Sequence, residues 1–171
     1  MTTQLRQIIS VHPHSVLRTA ATEVTEFGEL LQNKIARMKA VMRGFHGVGI
    51  AANQCFMSDA IFVAVINGEE RVFINPHMTD ASFEDTIQSE EGCLSMPGIV
   101  DVVTRFSKVT LSFQDQTGER KAESFEREAA VVVQHEMDHL YGILFCDKLS
   151  DLKQDIIERK MRKFKKSKGL I

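Results

Sequence analysis

Apolar positions divide the chain into segments of different period. Across residues 26–45, Phe27, Leu30, Leu31, Ile35, Met38, Val41, Met42 and Phe45 recur at three-and-four spacing, the stripe of an amphipathic helix with one face on a core. Thr25 is a candidate N-cap, and Gly44 or Gly47 a candidate stop. Two strand-like runs follow at 60–66 and 70–74, joined through Asn67-Gly68, the strongest short hairpin signal. Residues 108–113 alternate apolar and polar, and Asp115-Gln116-Thr117-Gly118 turns into a further run at 121–125. Residues 128–141 are ambiguous, because Ala129-Ala130-Val131-Val132-Val133 suits a strand or a buried helix. Ser150 opens a last helix whose stripe is Leu152, Ile156, Ile157, Met161 and Phe164. An N-terminal helix, antiparallel strands and hairpins, a central helix and a C-terminal helix predict an α+β fold.

Composition adds bounds. The 171 residues suffice for one compact domain and are few for two, so 1–171 reads as a single unit without repeats or linkers. Hydrophobic residues at 43% and charged residues at 26% are ordinary for a soluble globular protein. A formal charge of −2 supplies no global attraction to DNA or a membrane surface, and no apolar run is long enough for a membrane span. Met1-Thr2-Thr3-Gln4-Leu5-Arg6 lacks the apolar core of a secretory signal. Cys55, Cys93 and Cys146 are scattered and odd in number, which argues against a disulfide framework. The expected location is cytoplasmic.

The chemistry concentrates in His135-Glu136-Met137-Asp138-His139. On a helix, residues four apart leave the same face about one turn apart. Both imidazoles then reach one divalent metal, and Glu136 stands beside it as a base rather than on it. That geometry favours helix for 128–141, ending at Gly142. Asp138 points away from the two histidines and reads as a surface or supporting carboxylate.

Two histidines do not hold a catalytic metal alone; three protein ligands and an open position are usual. The extended metalloprotease pattern would place a third histidine at position 145, which is Phe145. Glu158 from the last helix is formally available. A stronger candidate is Cys93, within Glu90-Glu91-Gly92-Cys93-Leu94-Ser95, read as a loop between strands. A thiolate there would be a soft, fully deprotonated ligand. Cys55 and Cys146 read as small buried hydrophobes.

At these residues the chain resembles a known family. Gly47-Val48-Gly49-Ile50-Ala51-Ala52-Asn53-Gln54, Glu91-Gly92-Cys93-Leu94-Ser95 and Gln134-His135-Glu136-Met137-Asp138-His139-Leu140 look like the three ordered motifs of bacterial-type peptide deformylases. His12-Pro13-His14-Ser15-Val16-Leu17-Arg18 is a weaker fourth likeness. The resemblance implies that Cys93, His135 and His139 bind the metal and that Glu136 is the general acid and base. It also implies an oxyanion hole made by the Gln54 side-chain amide and the Leu94 backbone N–H. The implied reaction removes the formyl group from N-formylmethionyl peptides and releases formate. The implied metal is iron(II), with zinc, nickel or cobalt acceptable to the same donors. The formylmethionine pocket would draw on Val48, Gly49, Ile50 and Val131. Arg127-Glu128 and Val100 depart from common family patterns, which bears on peptide preference rather than on the chemistry.

Each residue also has a plainer role. Gln54 can satisfy nearby backbone groups, Gly47 and Gly49 can end the preceding helix, and Val131 can be core. The basic run Arg159, Lys160, Arg162, Lys163, Lys165, Lys166 and Lys168, in the helix expected over 150–168, reads as a solvated face. The family resemblance implies instead that it contacts the ribosome through phosphates. The other readings are a deformylase-like hydrolase of altered substrate, a metalloprotease using Glu158, and a non-catalytic metal-stabilised binding module.

Overall fold

Asn67 and Gly68 both adopt positive φ, 53° and 82°, as the tightest hairpin turns require. They join strand β2 (Ile61–Ile66) to strand β3 (Glu69–Ala81), with Ile66 paired to Glu69. The structure, a computed structural model, describes residues 8–82 and 84–170; the reading of residues 1–6 as lacking a signal lies outside them. Strands β1 (Gly49–Ala51), β6 (Lys108–Gln114) and β7 (Arg120–Glu126) complete a five-stranded antiparallel sheet of order β1-β2-β3-β6-β7. The β6–β7 turn is held by Asp115, whose Oδ1 accepts from the Thr117 and Glu119 amides. A separate antiparallel pair is formed by β4 (Thr86–Cys93) and β5 (Met96–Phe106).

Three helices pack on these sheets among the described residues: α1 (Glu29–Gly44), α2 (Glu128–Leu140) and α3 (Asp151–Ser167). The α+β class expected from the chain is the one observed. Strand β2 explains the layering. Ile61 and Val63 join one core with Leu31, Ile35 and Met38 of α1, whereas Phe62 and Ala64 join a second core with Ala130, Val133 and Met137 of α2. A strand buried on both faces reads as a continuous apolar run. The same burial on nearly every side hid the helical period of α2.

Several expectations shift. α1 starts after Gly28, not Thr25, leaving Phe27 before the helix but packed on the first core. Its end is closed by the Gly47 amide donating to the Met42 carbonyl at 2.9 Å, with His46, not a glycine, at positive φ. Leu30, Leu152 and Ile156 are exposed, so the buried stripes of α1 and α3 are narrower than the sequence suggests. Strand β3 runs past Ile74 because Asn75 replaces lost ladder bonds: it exchanges hydrogen bonds with the Val24 backbone and donates to Gln114. Its outer half is polar and exposed, so alternation could not show it. Likewise β4 is largely polar, and Cys93 is its last residue rather than part of a loop.

Gly142 ends α2 with φ 72°. A Cβ there would stand 2.7 Å from the Arg18 carbonyl oxygen, so the glycine lets the N-terminal segment lie against the helix end. In the second core, Phe73 is fully buried and stacks on Phe62 at 4.5 Å, with Phe113 at 4.7 Å and Phe125 at 5.7 Å. Phe73→Ala should lower the unfolding free energy by about 3–5 kcal/mol, measured by urea denaturation; a loss below about 1 kcal/mol would contradict this packing.

Candidate metal centre

On one face of α2, His135 and His139 stand one turn apart, with ring centroids 5.2 Å from each other. The end of β4 brings Cys93 to them, its Sγ 3.2 Å from His139 Nε2. One donor atom from each of the three lies within 4.8 Å of the others. Tetrahedral coordination with ordinary metal–sulfur and metal–nitrogen bonds separates sulfur and nitrogen by about 3.6 Å, so this donor set fits a single metal ion. Glu158 does not approach it. Its carboxylate is hydrogen-bonded to His12 Nε2 at 2.5 Å, which removes it as third ligand.

Behind the donors lies a buried charge network. Glu91 precedes Cys93 by two residues, and its Oε2 accepts from His135 Nδ1 at 2.8 Å, leaving Nε2 for the metal side. Arg105 on β5 donates to both oxygens of Glu91, at 2.6 and 2.8 Å, and to Asp138 on α2 at 2.5 Å. Lys148 adds a 3.1 Å contact to Asp138. Burial pushes the Glu91 carboxyl upward, but Arg105 and His135 outweigh it and hold it at about 2. Burial also lowers His135, yet its hydrogen bonds to Cys93 and Glu91 prevail and raise it well above its ordinary value. His139 is kept well below its ordinary value, first by burial, which suits a neutral ligand. This network escaped the sequence reading. Alternation along a strand could have paired Glu91 with Cys93, but Arg105 needed the β4–β5 pairing.

Glu136 is only 3% exposed, and its buried Oε2 has no hydrogen-bond partner. Burial pushes its carboxyl up to about 7, the range in which one group can both take and give a proton. It rests on Gly49: a Cβ at that position would meet Glu136 Oε1 at 2.3 Å. Gln54 satisfies a nearby backbone group, the plainer role considered for it, and stands beside the Cys93 thiol. Its Oε1 accepts from the Ala51 amide at 2.9 Å, while its Nε2 donates to Ser95 Oγ at 3.1 Å and faces Cys93 Sγ at 3.4 Å. Cys55 and Cys146 are buried thiols pushed up to about 12, consistent with inert core residues.

The donors open into a cavity of about 570 Å³. Val48, Gly49, Leu94 and Val131 line it together with Gln54 and Glu136. Ile50 does not; it is fully buried in the core shared with α1, because β1 turns alternate residues away from the cavity.

Fold and donors together define an α+β metal-dependent hydrolase in which one thiol and two imidazoles could hold a single ion. The profile of the family described as Polypeptide deformylase matches residues 6–155. Peptide deformylase of Neisseria meningitidis is 39% identical over 158 residues, covering 91% of this chain and 93% of the relative. That of Treponema pallidum is 42% identical over 139 residues, covering 81% and 85%. The crystal structure of a peptide deformylase from Legionella pneumophila superposes with TM-score 0.88 at 38% identity, covering 94% of this chain and 96% of that one. The chain belongs to the peptide deformylase family, enzymes that remove formyl groups from nascent peptides.

Gly49→Ala should displace Glu136 without disturbing a core, since the clash falls on the end of a side chain. We expect formyl-peptide turnover to fall about 10²-fold while the melting temperature moves by no more than about 3 °C, as a change well under 1 kcal/mol would give. Full turnover would contradict the close contact.

Proposed function

We propose that the chain hydrolyses the N-formyl group on the N-terminal methionine of newly made polypeptides. The observation that carries this reading is the buried Glu136 carboxylate, its Oε2 without a hydrogen-bond partner, beside the Cys93, His135 and His139 donors in a cavity with apolar walls. Those three residues would hold one divalent metal, which when bound polarises a water molecule and lowers its pKa. Glu136 takes the proton as the water oxygen attacks the formyl carbon. Negative charge gathers on the formyl oxygen, where Gln54 Nε2–H and the Leu94 amide donate to it; losing one such donor costs about 10²–10³ in rate. Glu136 then delivers its proton to the amine nitrogen, which cannot leave as an anion. The C–N bond breaks, giving formate and a free amino terminus.

Val48, Gly49 and Val131 form the apolar wall for the methionine side chain, with Ile50 supporting β1 from behind. Iron(II) is the proposed physiological ion, and zinc, nickel or cobalt suit the same donors. No helix of the described residues is long and apolar enough to cross a membrane; the proposed location, where newly made polypeptides would be met, is the cytoplasm. The basic face of α3 is proposed to hold ribosomal RNA phosphates. Lys160, Lys163, Lys166 and Lys168 are all exposed there.

Glu136→Ala should reduce formate release from formyl-Met-Ala-Ser by at least about 10²-fold with metal content retained. An unchanged rate would reject the role, whereas no formate release from the metal-loaded wild-type chain would leave a metal-stabilised binding module as the better reading. For the basic face, deleting the segment from Arg159 onward would remove the fully buried Met161 and so confound folding with binding. Replacing the four exposed lysines by glutamine tests it instead: ribosome affinity should fall about tenfold or more at low salt, with turnover of short formyl peptides intact. Equal ribosome affinity would reject the contact.

A further inference from the structure

Residues 10–12 belong to no helix or strand, yet they are tied at two points to the surroundings of Gln54. The Ser10 amide donates to the Gln54 carbonyl at 2.7 Å, and the His12 amide donates to the Ser95 carbonyl at 2.9 Å. Ser95 Oγ in turn accepts from Gln54 Nε2 at 3.1 Å. The segment thus straps the backbone of Gln54 directly and its side-chain amide through Ser95. Ser10, His12, Gln54 and Ser95 are all buried, where water does not replace a lost hydrogen bond.

The strap is fastened on α3. His12 Nε2 and Glu158 Oε1 stand 2.5 Å apart, the ring N–H donating, since a carboxylate only accepts. The other ring nitrogen is buried without a hydrogen-bond partner, so Glu158 alone satisfies the imidazole among the described residues. Lys165, about two turns further along α3, donates to the Pro13 carbonyl at 3.0 Å. Apolar packing runs the same way: Ile9 and Val11 share one core with Ile157 and Met161. No step of the reaction touches the His12–Glu158 pair, although it joins residues 146 apart in the chain.

We propose that His12 and Glu158 are positioning residues: through the strap at 10–12, α3 holds the Gln54 amide where the formyl oxygen gathers charge. This rests on the formyl-peptide reading of the cavity. Neither residue lines that cavity, so substrate binding is untouched and the effect falls on kcat rather than KM.

The test uses the metal-loaded full chain. Glu158→Ala should lower kcat for formyl-Met-Ala-Ser about tenfold, less than the loss of an oxyanion donor outright, with KM and metal content unchanged. His12→Phe, which keeps the ring volume without its N–H, should repeat the loss. Glu158→Gln keeps an acceptor for His12 and should restore most of kcat. In a Gln54→Ala background, Glu158→Ala should cost less than about twofold more, because residues acting through one group are not additive. An unchanged kcat in Glu158→Ala, or losses that multiply in the double variant, overturns the proposal. A measurement free of turnover follows the zinc-loaded chain by NMR. Glu158→Ala should shift the Gln54 side-chain NH2 signal and speed hydrogen exchange at the Ser10 and His12 amides about tenfold, and Glu158→Gln should reverse both. If the wild-type chain releases no formate while these changes occur, the hydrolase reading falls and the coupling of α3 to Gln54 stands. An unmoved Gln54 signal with unchanged exchange overturns the coupling whatever the turnover.

Discussion

The guanidinium of Arg105 holds carboxylates from two different elements at once, Glu91 on β4 and Asp138 on α2. Glu91 lies two residues before Cys93, and Asp138 lies between His135 and His139. One buried cation therefore sets the separation between the sulfur and the two imidazoles. Burying three charged groups is unfavourable unless each is fully paired, and such networks add position more reliably than stability. Here pairing is complete: Glu91 stays ionised, with its carboxyl at about 2, and its Oε2, shared with Arg105, also orients His135.

α2 carries two unlike duties on one short helix. Ala130, Val133, Met137 and Leu140 pack into the second core, whereas His135 and Glu136 face the cavity with Val131 and Val132. Rigid packing on one side holds the reacting groups on the other, which is how a site keeps its geometry without substrate. The glycine motif completes the arrangement from the opposite wall. Gly49 admits Glu136 at a distance that no side chain would allow, and Gly47 does the same for Leu94.

Much of this was legible because it is local. The Asn67-Gly68 hairpin, the Asp115 turn and the two histidines one turn apart depend on residues within a few positions of each other. Boundaries were less legible. The start of α1 moved from Thr25 to Gly28, and Leu30, Leu152 and Ile156 proved exposed, because periodicity marks a stripe without saying how wide its partner surface is. The pair β4–β5 left little trace, since its polar residues satisfy water on one face and the charge network on the other.

By itself the sequence determined the chemical types and their spacing: two imidazoles and a carboxylate on one helical turn, a thiol within a glycine-flanked motif, and an apolar helix to carry them. Those follow from helix geometry and side-chain chemistry, which need no partner. Only the tertiary structure decided that Cys93 and not Glu158 joins the histidines, that Arg105 ties the two halves together, and that Ile50 supports the wall without lining it. Each of these is a contact between residues far apart in the chain, and its distance is set by how sheets and helices pack rather than by any local preference.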